Sequence, residues 1–209
     1  MIHRIAALFV ETDGVYFGRP DVDPWDITRD ARLYAGPWPV IAHPPCERWG
    51  RYWSGGPSAH VRRKLGDDDG CFASALASVR EFGGLLEHPE ASHAFPAHGL
   101  LAPPKSGGWV AAGDGVGFVC CVEQGHYGHR ARKATWLYVV GCDLPELTWV
   151  KAEGKMRLDL GHHNREERSM NPSPHARITA RECRETPAAF ARLLISIART
   201  AKFYQDSEV

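Results

Sequence analysis

Residues 39–50, PVIAHPPCERWG, decide how the chain is read. Val40, Ile41 and Ala42 make a short apolar run of the kind that fills a strand buried on both faces, and Gly36-Pro37 breaks the chain just before it. The run stops at His43. Pro44 and Pro45 then fix their own φ and restrict the residues ahead of them, so Cys46 is presented at the exit of a strand.

The flanking sequence extends this pattern in both directions. Residues 4–10, RIAALFV, predict a first buried strand, followed by the turn-rich ETDGVYFGRPDVDP. Residues 24–34, PWDITRDARLY, predict a helix with Asp23 as N-cap and Pro24 in the first position. A helical region is expected from Pro57-Ser58, interrupted at GDDDG (66–70) and resumed over 71–82 with Phe72, Ala75, Leu76 and Val79 at helical spacing. Gly83-Gly84 ends it, and LLEH (85–88) is a third strand closed by Pro89. Strand, helix, strand, helix, strand is the order of a parallel sheet, whose ligands bind beyond the carboxyl ends of the strands. His43–Cys46 and Glu87-His88 are therefore expected to face each other across one cleft.

Beyond a Pro/Gly loop (96–115), the runs VGFVCCVEQ (116–124) and ATWLYVVG (134–141) predict an antiparallel pair joined by GHYGHRARK. Residues 151–175 read as a mobile polar loop. Residues 186–203 read as a closing helix with Phe190, Leu193, Leu194 and Ile197 on one stripe. The fold class expected for residues 1–209 is a single α/β domain, Rossmann-like, with a mostly parallel sheet, helices on both faces and the antiparallel strand pair toward the C-terminal part.

The 209 residues are 44% hydrophobic and 24% charged with zero formal net charge, so no global basic field points to a polyanion. Basic character is local, at Arg48, Arg51, Arg62, Arg63 and Lys64 and again at Arg130, Arg132 and Lys133. No apolar run approaches the roughly 20 residues that span a bilayer, and no signal-peptide pattern opens the chain. Six cysteines without regular spacing suggest reduced thiols and a cytoplasmic setting. His162-His163, His126/His129 and His88/His93 could donate to a metal, but none has a recognised ligand spacing, so no metal is assigned to the site.

Three segments could carry chemistry. Cys46 is placed as a nucleophile, with Arg48 and Arg51 near enough in sequence to lower its pKa; the competing reading is a small buried hydrophobe. Glu87 ends an apolar strand before a proline, where burial is expected to raise its pKa and suit it to proton donation; the competing reading is a helix N-terminal partner for residues 90–95. Arg130, Arg132 and Lys133 precede a strand and could clamp phosphate or carboxylate groups, or lie in a solvated turn.

Taken in order, Pro-Pro-Cys (44–46), Glu-His-Pro (87–89), Arg-x-Arg (130–132), the Lys133-x-Thr135-Trp136 segment and RITARE (177–182) resemble the core of the DNA cytosine C5-methyltransferases, in their compact phage-type form. The chain also looks like a group of phage and prophage proteins carrying His-Pro-Pro-Cys and Leu-Glu-His-Pro. The resemblance implies that Cys46 adds to C6 of cytosine, that Glu87 holds or protonates N3, and that Arg130 and Arg132 steady the base. It implies substrate contacts from His43, Pro45, Arg48, Trp49, His88 and Lys133, with Trp49, Tyr52 and Trp53 available to stack on a flipped base. The partner implied is DNA or a pyrimidine nucleotide, with no membrane involved, and the methyl donor implied is S-adenosylmethionine. The sequence departs from the family where it matters for that donor: FVETDGVYFG follows the first strand in place of a glycine-rich turn. Gly128 and His88 also replace the family's Gln and Asn. Two other readings stand beside it. One is a non-catalytic, nucleic-acid- or protein-binding descendant of the same fold. The other is a metal-dependent hydrolase using His43, Glu87, His88 and the Asp-rich 13–26 loop.

Overall fold

The computed structural model describes residues 4–55, 63–156, 158 and 176–202. The strands are β1 (Ile5–Leu8), β2 (Val22–Trp25), β3 (Val40–Ala42), β4 (Gly84–Pro89), β5 (Val110–Ala111), β6 (Phe118–Glu123) and β7 (Ala134–Val140). The helices are α1 (Cys71–Phe82), the short α2 (Ala94–Ala97) and α3 (Ala180–Arg184), and α4 (Ala188–Ala198). The strands form one seven-stranded sheet in the order β2-β1-β3-β4-β7-β6-β5.

The class is α/β, as expected, but the sheet is mixed. β2, β1, β3 and β4 run parallel, and β7, β6 and β5 continue the sheet through three antiparallel ladders that are on the whole the longer ones. The expectation of a mostly parallel sheet is thus corrected: β7 pairs with β4 as well as with β6, so the antiparallel part is half the sheet. β1 has β2 on one side and β3 on the other, which creates a topological switch point at the carboxyl ends of β1 and β3.

Side chains alternate between faces with period 2, and both faces are covered. Ala6, Leu8, Val40, Ala42, Leu86 and Tyr138 pack under α1 with Phe72, Ala75, Leu76 and Val79. Ile5, Ala7, Ile41, Leu85, Leu137 and Val139 pack under α4 with Phe190, Ala191, Leu194 and Ile197. Burial on both sides is why these strands read as unbroken apolar runs. Asp68 organises the start of α1: Oδ1 accepts from Gly70 N–H, and Oδ2 accepts from Phe72 N–H and Trp49 Nε1. The helix ends at Gly83 (φ 72°), and Gly84 (φ 113°) lies so close to β3 that a Cβ there would meet the Val40 carbonyl oxygen at 2.0 Å.

The helix expected over 24–34 does not form. Residues Val22–Trp25 are an edge strand with Pro24 opposite Ala7, a place where the missing N–H of proline is tolerated. Asp23 bonds Trp25 Nε1 and Arg29 instead of capping, and only Ala31–Leu33 makes a 3-10 turn, capped by Asp30. Ile27 and Leu33, at 94% and 75% exposure, leave that segment no apolar stripe to bury. The helix expected from Pro57-Ser58 lies largely, and the loop expected over 151–175 mostly, outside the described residues. Among the described residues no helix is long and apolar enough to cross a membrane.

Candidate active site

β3 delivers His43, whose backbone N–H still bonds Leu8 O at 3.0 Å. After buried Pro44 and exposed Pro45 the chain turns, and Cys46 O accepts from Trp49 and Gly50 N–H. In β4, Glu87 and His88 are neighbours that point to opposite faces, as strand periodicity requires. Glu87 lies on the α4 side with His43, and His88 lies on the α1 side.

His43 Nδ1 is 3.0 Å from Glu87 Oε2, and its Nε2 is 2.8 Å from the hydroxyl of Tyr16 in the loop after β1. Glu87 Oε1 accepts from Gln124 Nε2 and Thr135 Oγ1, each at 3.1 Å, and Gln124 Nε2 also bonds Thr135 Oγ1 at 2.8 Å. Burial by itself would raise the Glu87 carboxyl. The His43 hydrogen bond and the charges of His43, Lys133 and His88 outweigh it and hold the group down at about 2. The expected upward shift is therefore reversed, because a buried carboxylate met by this many donors is stabilised as the anion.

Cys46 is half-buried, and desolvation followed by the Glu87 charge pushes its thiol up; Lys133 acts in the opposite sense. Arg48 and Arg51, expected to lower it, are not among the groups that do. Lys133 itself sits at φ 37° immediately before β7, with Nζ bonded to Glu185 O at 2.9 Å. Burial lowers its pKa, against the charges of Glu87, Cys46, Cys183 and Glu185. Cys46, Glu87 and Lys133 thus share one electrostatic environment at the carboxyl ends of β3 and β4, beside the switch point.

The other expected site residues go elsewhere. Arg130 pairs with Glu182, at the first turn of α3, and Arg132 with Glu123 at the end of β6. The lysine or arginine whose charge acts on both Cys46 and Glu87 is Lys133. Trp49 is in the core at 7% exposure, its ring against Phe72 and His98, so it is not available to stack on a base. His88 is fully buried, edge-on to Phe72, with Nδ1 2.7 Å from Ser92 Oγ; desolvation holds its pKa down at about 4, and it cannot reach a substrate on the Glu87 side. One nitrogen of the Arg48 guanidinium is buried with no hydrogen-bond partner among the described residues. Tyr52 is exposed and Trp53 half-buried.

Tyr16 and Gln124 were not singled out by the sequence. Gln124 carries a usable signal, since it continues the alternation of β6 onto the face of Glu87; Tyr16, in an irregular turn, carries none. The capping box of Thr179 and Glu182 shows that RITARE begins a helical turn whose acid holds Arg130.

The loop after β1 does not make the cradle a methyl donor of the expected kind requires. Turns without a helix connect β1 to β2, so no helix N-terminus follows β1 to receive a donor there. The Asp26 carboxylate at the end of β2 is taken by Thr12 and Thr28, and Tyr16, only 2% exposed, packs in the α4-side core. Nor do the acids of the 13–26 loop converge: Asp21 pairs with Arg199 and Asp23 with Arg29. Among the described residues no three His, Cys, Asp or Glu side chains are grouped to hold a metal; His162 and His163 lie outside them. Compared with family models, with curated proteins and with solved structures, the chain gave no match.

Proposed function

We propose that this protein is a Rossmann-like, methyltransferase-related enzyme that activates C5 of a pyrimidine base, in DNA or a nucleotide, through a covalent bond from Cys46 to C6. The observation that carries the reading is the placement of Cys46 after β3 and of Glu87 near the carboxyl end of the adjacent parallel strand β4, beside a topological switch point, with the Lys133 charge acting on both. The sheet supports it: four parallel strands are extended by β7, inserted antiparallel between β4 and β6. Cys46 is the nucleophile, Glu87 anchors the base edge, His43 and Gln124 position Glu87, and Lys133 favours the thiolate and the charge that develops on the base. No step is routed through S-adenosylmethionine, because the residues beyond β1 do not fit it.

The reading is tested without knowing the group donor. Addition of Cys46 to C6 lets C5 exchange its hydrogen with solvent, so incubation in D2O should add deuterium at C5 of a pyrimidine, and Cys46→Ser should abolish it. No Cys46-dependent exchange in any pyrimidine overturns the reading. The raised Cys46 thiol and the occupied Arg130 and Arg132 favour a second one, a binding-only descendant, which predicts tight association with single-stranded DNA and no exchange.

A further inference from the structure

Glu87 is met by donors on both oxygens. Oε1 accepts from Gln124 Nε2 and Thr135 Oγ1, and Oε2 faces His43 Nδ1. His43 Nδ1, set 3.0 Å from a carboxylate oxygen, carries the hydrogen of that contact and donates it to Oε2, while Nε2 lies 2.8 Å from the Tyr16 hydroxyl. The reverse tautomer would set an Nδ1 lone pair against a carboxylate on which two other donors already converge. Gln124 uses one amide hydrogen on Glu87 and the other on Thr135 Oγ1, whose own hydrogen goes to Glu87, so every neighbour in this cluster donates to Glu87, none accepts from it, and the anion is the favoured form. A carboxylate offers roughly four acceptor positions. Three donors fill three of them, and the open one is on Oε2.

We infer that Glu87 acts only as an acceptor with one open position, and that the pyrimidine taken by this site is a uracil-type base, which donates a ring N–H, rather than cytosine. This rests on the pyrimidine reading above and names its substrate class. Cytosine presents a bare lone pair at N3, and addition at C6 drives negative charge onto that nitrogen, toward an anion that has no proton to give. A uracil keeps its N3–H for Oε2, and the charge of addition goes to the O4 carbonyl oxygen, where the Lys133 ammonium complements it. Acceptor and cation together match the N–H and C=O of one base edge.

The exchange chemistry balances without a donor. The Cys46 thiol loses its proton to solvent, sulfur bonds to C6, and the C5=C6 electron pair moves through C4 onto O4. The enolate takes a deuteron from D2O at C5, gives up the original C5 proton, and the S–C6 bond breaks to return the thiolate. The experiment incubates the full chain in D2O with dUMP, dCMP, and single-stranded oligonucleotides carrying one uracil or one cytosine, and reads deuterium at C5 by mass spectrometry. The expected result is uracil exchange faster than cytosine exchange by roughly tenfold or more, because a base lacking the required donor leaves a buried acceptor unpaired. The nucleotide and oligonucleotide arms show which form carries it. Cytosine exchanging as fast as uracil, or faster, overturns the inference and leaves the pyrimidine reading standing. Exchange in neither base overturns both.

Discussion

His43 and Glu87 are 44 positions apart in the chain and meet at 3.0 Å, Nδ1 to Oε2, at the ends of two adjacent parallel strands. The bond joins two residues that lie either side of a long crossover, and with the neighbouring charges it holds Glu87 as the anion.

Glu87 should therefore contribute stability that is lost in acid. Its folded value of about 2 lies below the ordinary 4.5, so the contribution is full above about pH 4.5 and disappears as pH falls toward 2. Urea unfolding of wild type and Glu87→Gln across this range should show the gap between them closing as pH drops. A gap independent of pH would show that Glu87 is not held as the anion.

His88 should stay neutral well below the usual histidine range. Its value of about 4, against an ordinary 6.5, means that wild-type stability falls as pH drops from 6.5 toward 4, because the unfolded chain takes up the proton first. NMR titration should find the His88 ring signals unmoved at pH 5.5. Movement near pH 6.5 would contradict its burial beside Phe72 and Ser92.

Cys46 should react slowly with iodoacetamide at pH 7 and accelerate only above the usual thiol range. Lys133→Met removes the charge that lowers the thiol and should slow alkylation further, whereas Glu87→Gln should speed it. Peptide mass mapping isolates Cys46 from Cys120 and Cys121, whose thiols burial also raises. Unchanged rates in both variants would separate Cys46 from those charges.

Away from the site, Asp114 joins α1 to the sheet: it accepts from Arg80 at 2.8 Å, from Tyr138 OH at 2.6 Å, and from Gly117 and Val116 N–H. Asp114→Ala leaves Tyr138 OH and these donors without it and should cost about 2 kcal/mol in urea unfolding, a figure held down by the partial exposure of Arg80.

Two glycines with positive φ should behave differently. Gly84→Ala places a Cβ against the Val40 backbone and should prevent β3–β4 pairing, yielding insoluble protein. Gly70→Ala meets nothing within 4 Å and should cost only the left-handed strain, on the order of 1 kcal/mol.

Sequence alone was enough to locate β1, β3, α1, β4, α4 and the antiparallel pairing of β6 with β7. Each of these buries a surface whose periodicity is written locally: unbroken apolar runs for strands covered on both faces, a 3.6-residue stripe for the helices. It also placed Cys46 and Glu87 on neighbouring strand ends, because strand order follows from the alternation of elements. It misread residues 24–34, where an edge strand containing a proline carries the same local marks as a helix start.

What only the tertiary structure decided is which polar groups meet. Adjacent Glu87 and His88 part to opposite faces, Trp49 turns into the core, and Arg130 and Arg132 find Glu182 and Glu123, leaving Lys133 as the basic residue whose charge acts on the thiol. His43, Gln124 and Thr135 reach Glu87 from three separate segments, and Tyr16 reaches His43 from a fourth. The physical reason is range: burial of apolar surface is encoded within a few residues, while the partner of a charge or a hydrogen-bond donor is fixed by strand phase and by contacts across the fold.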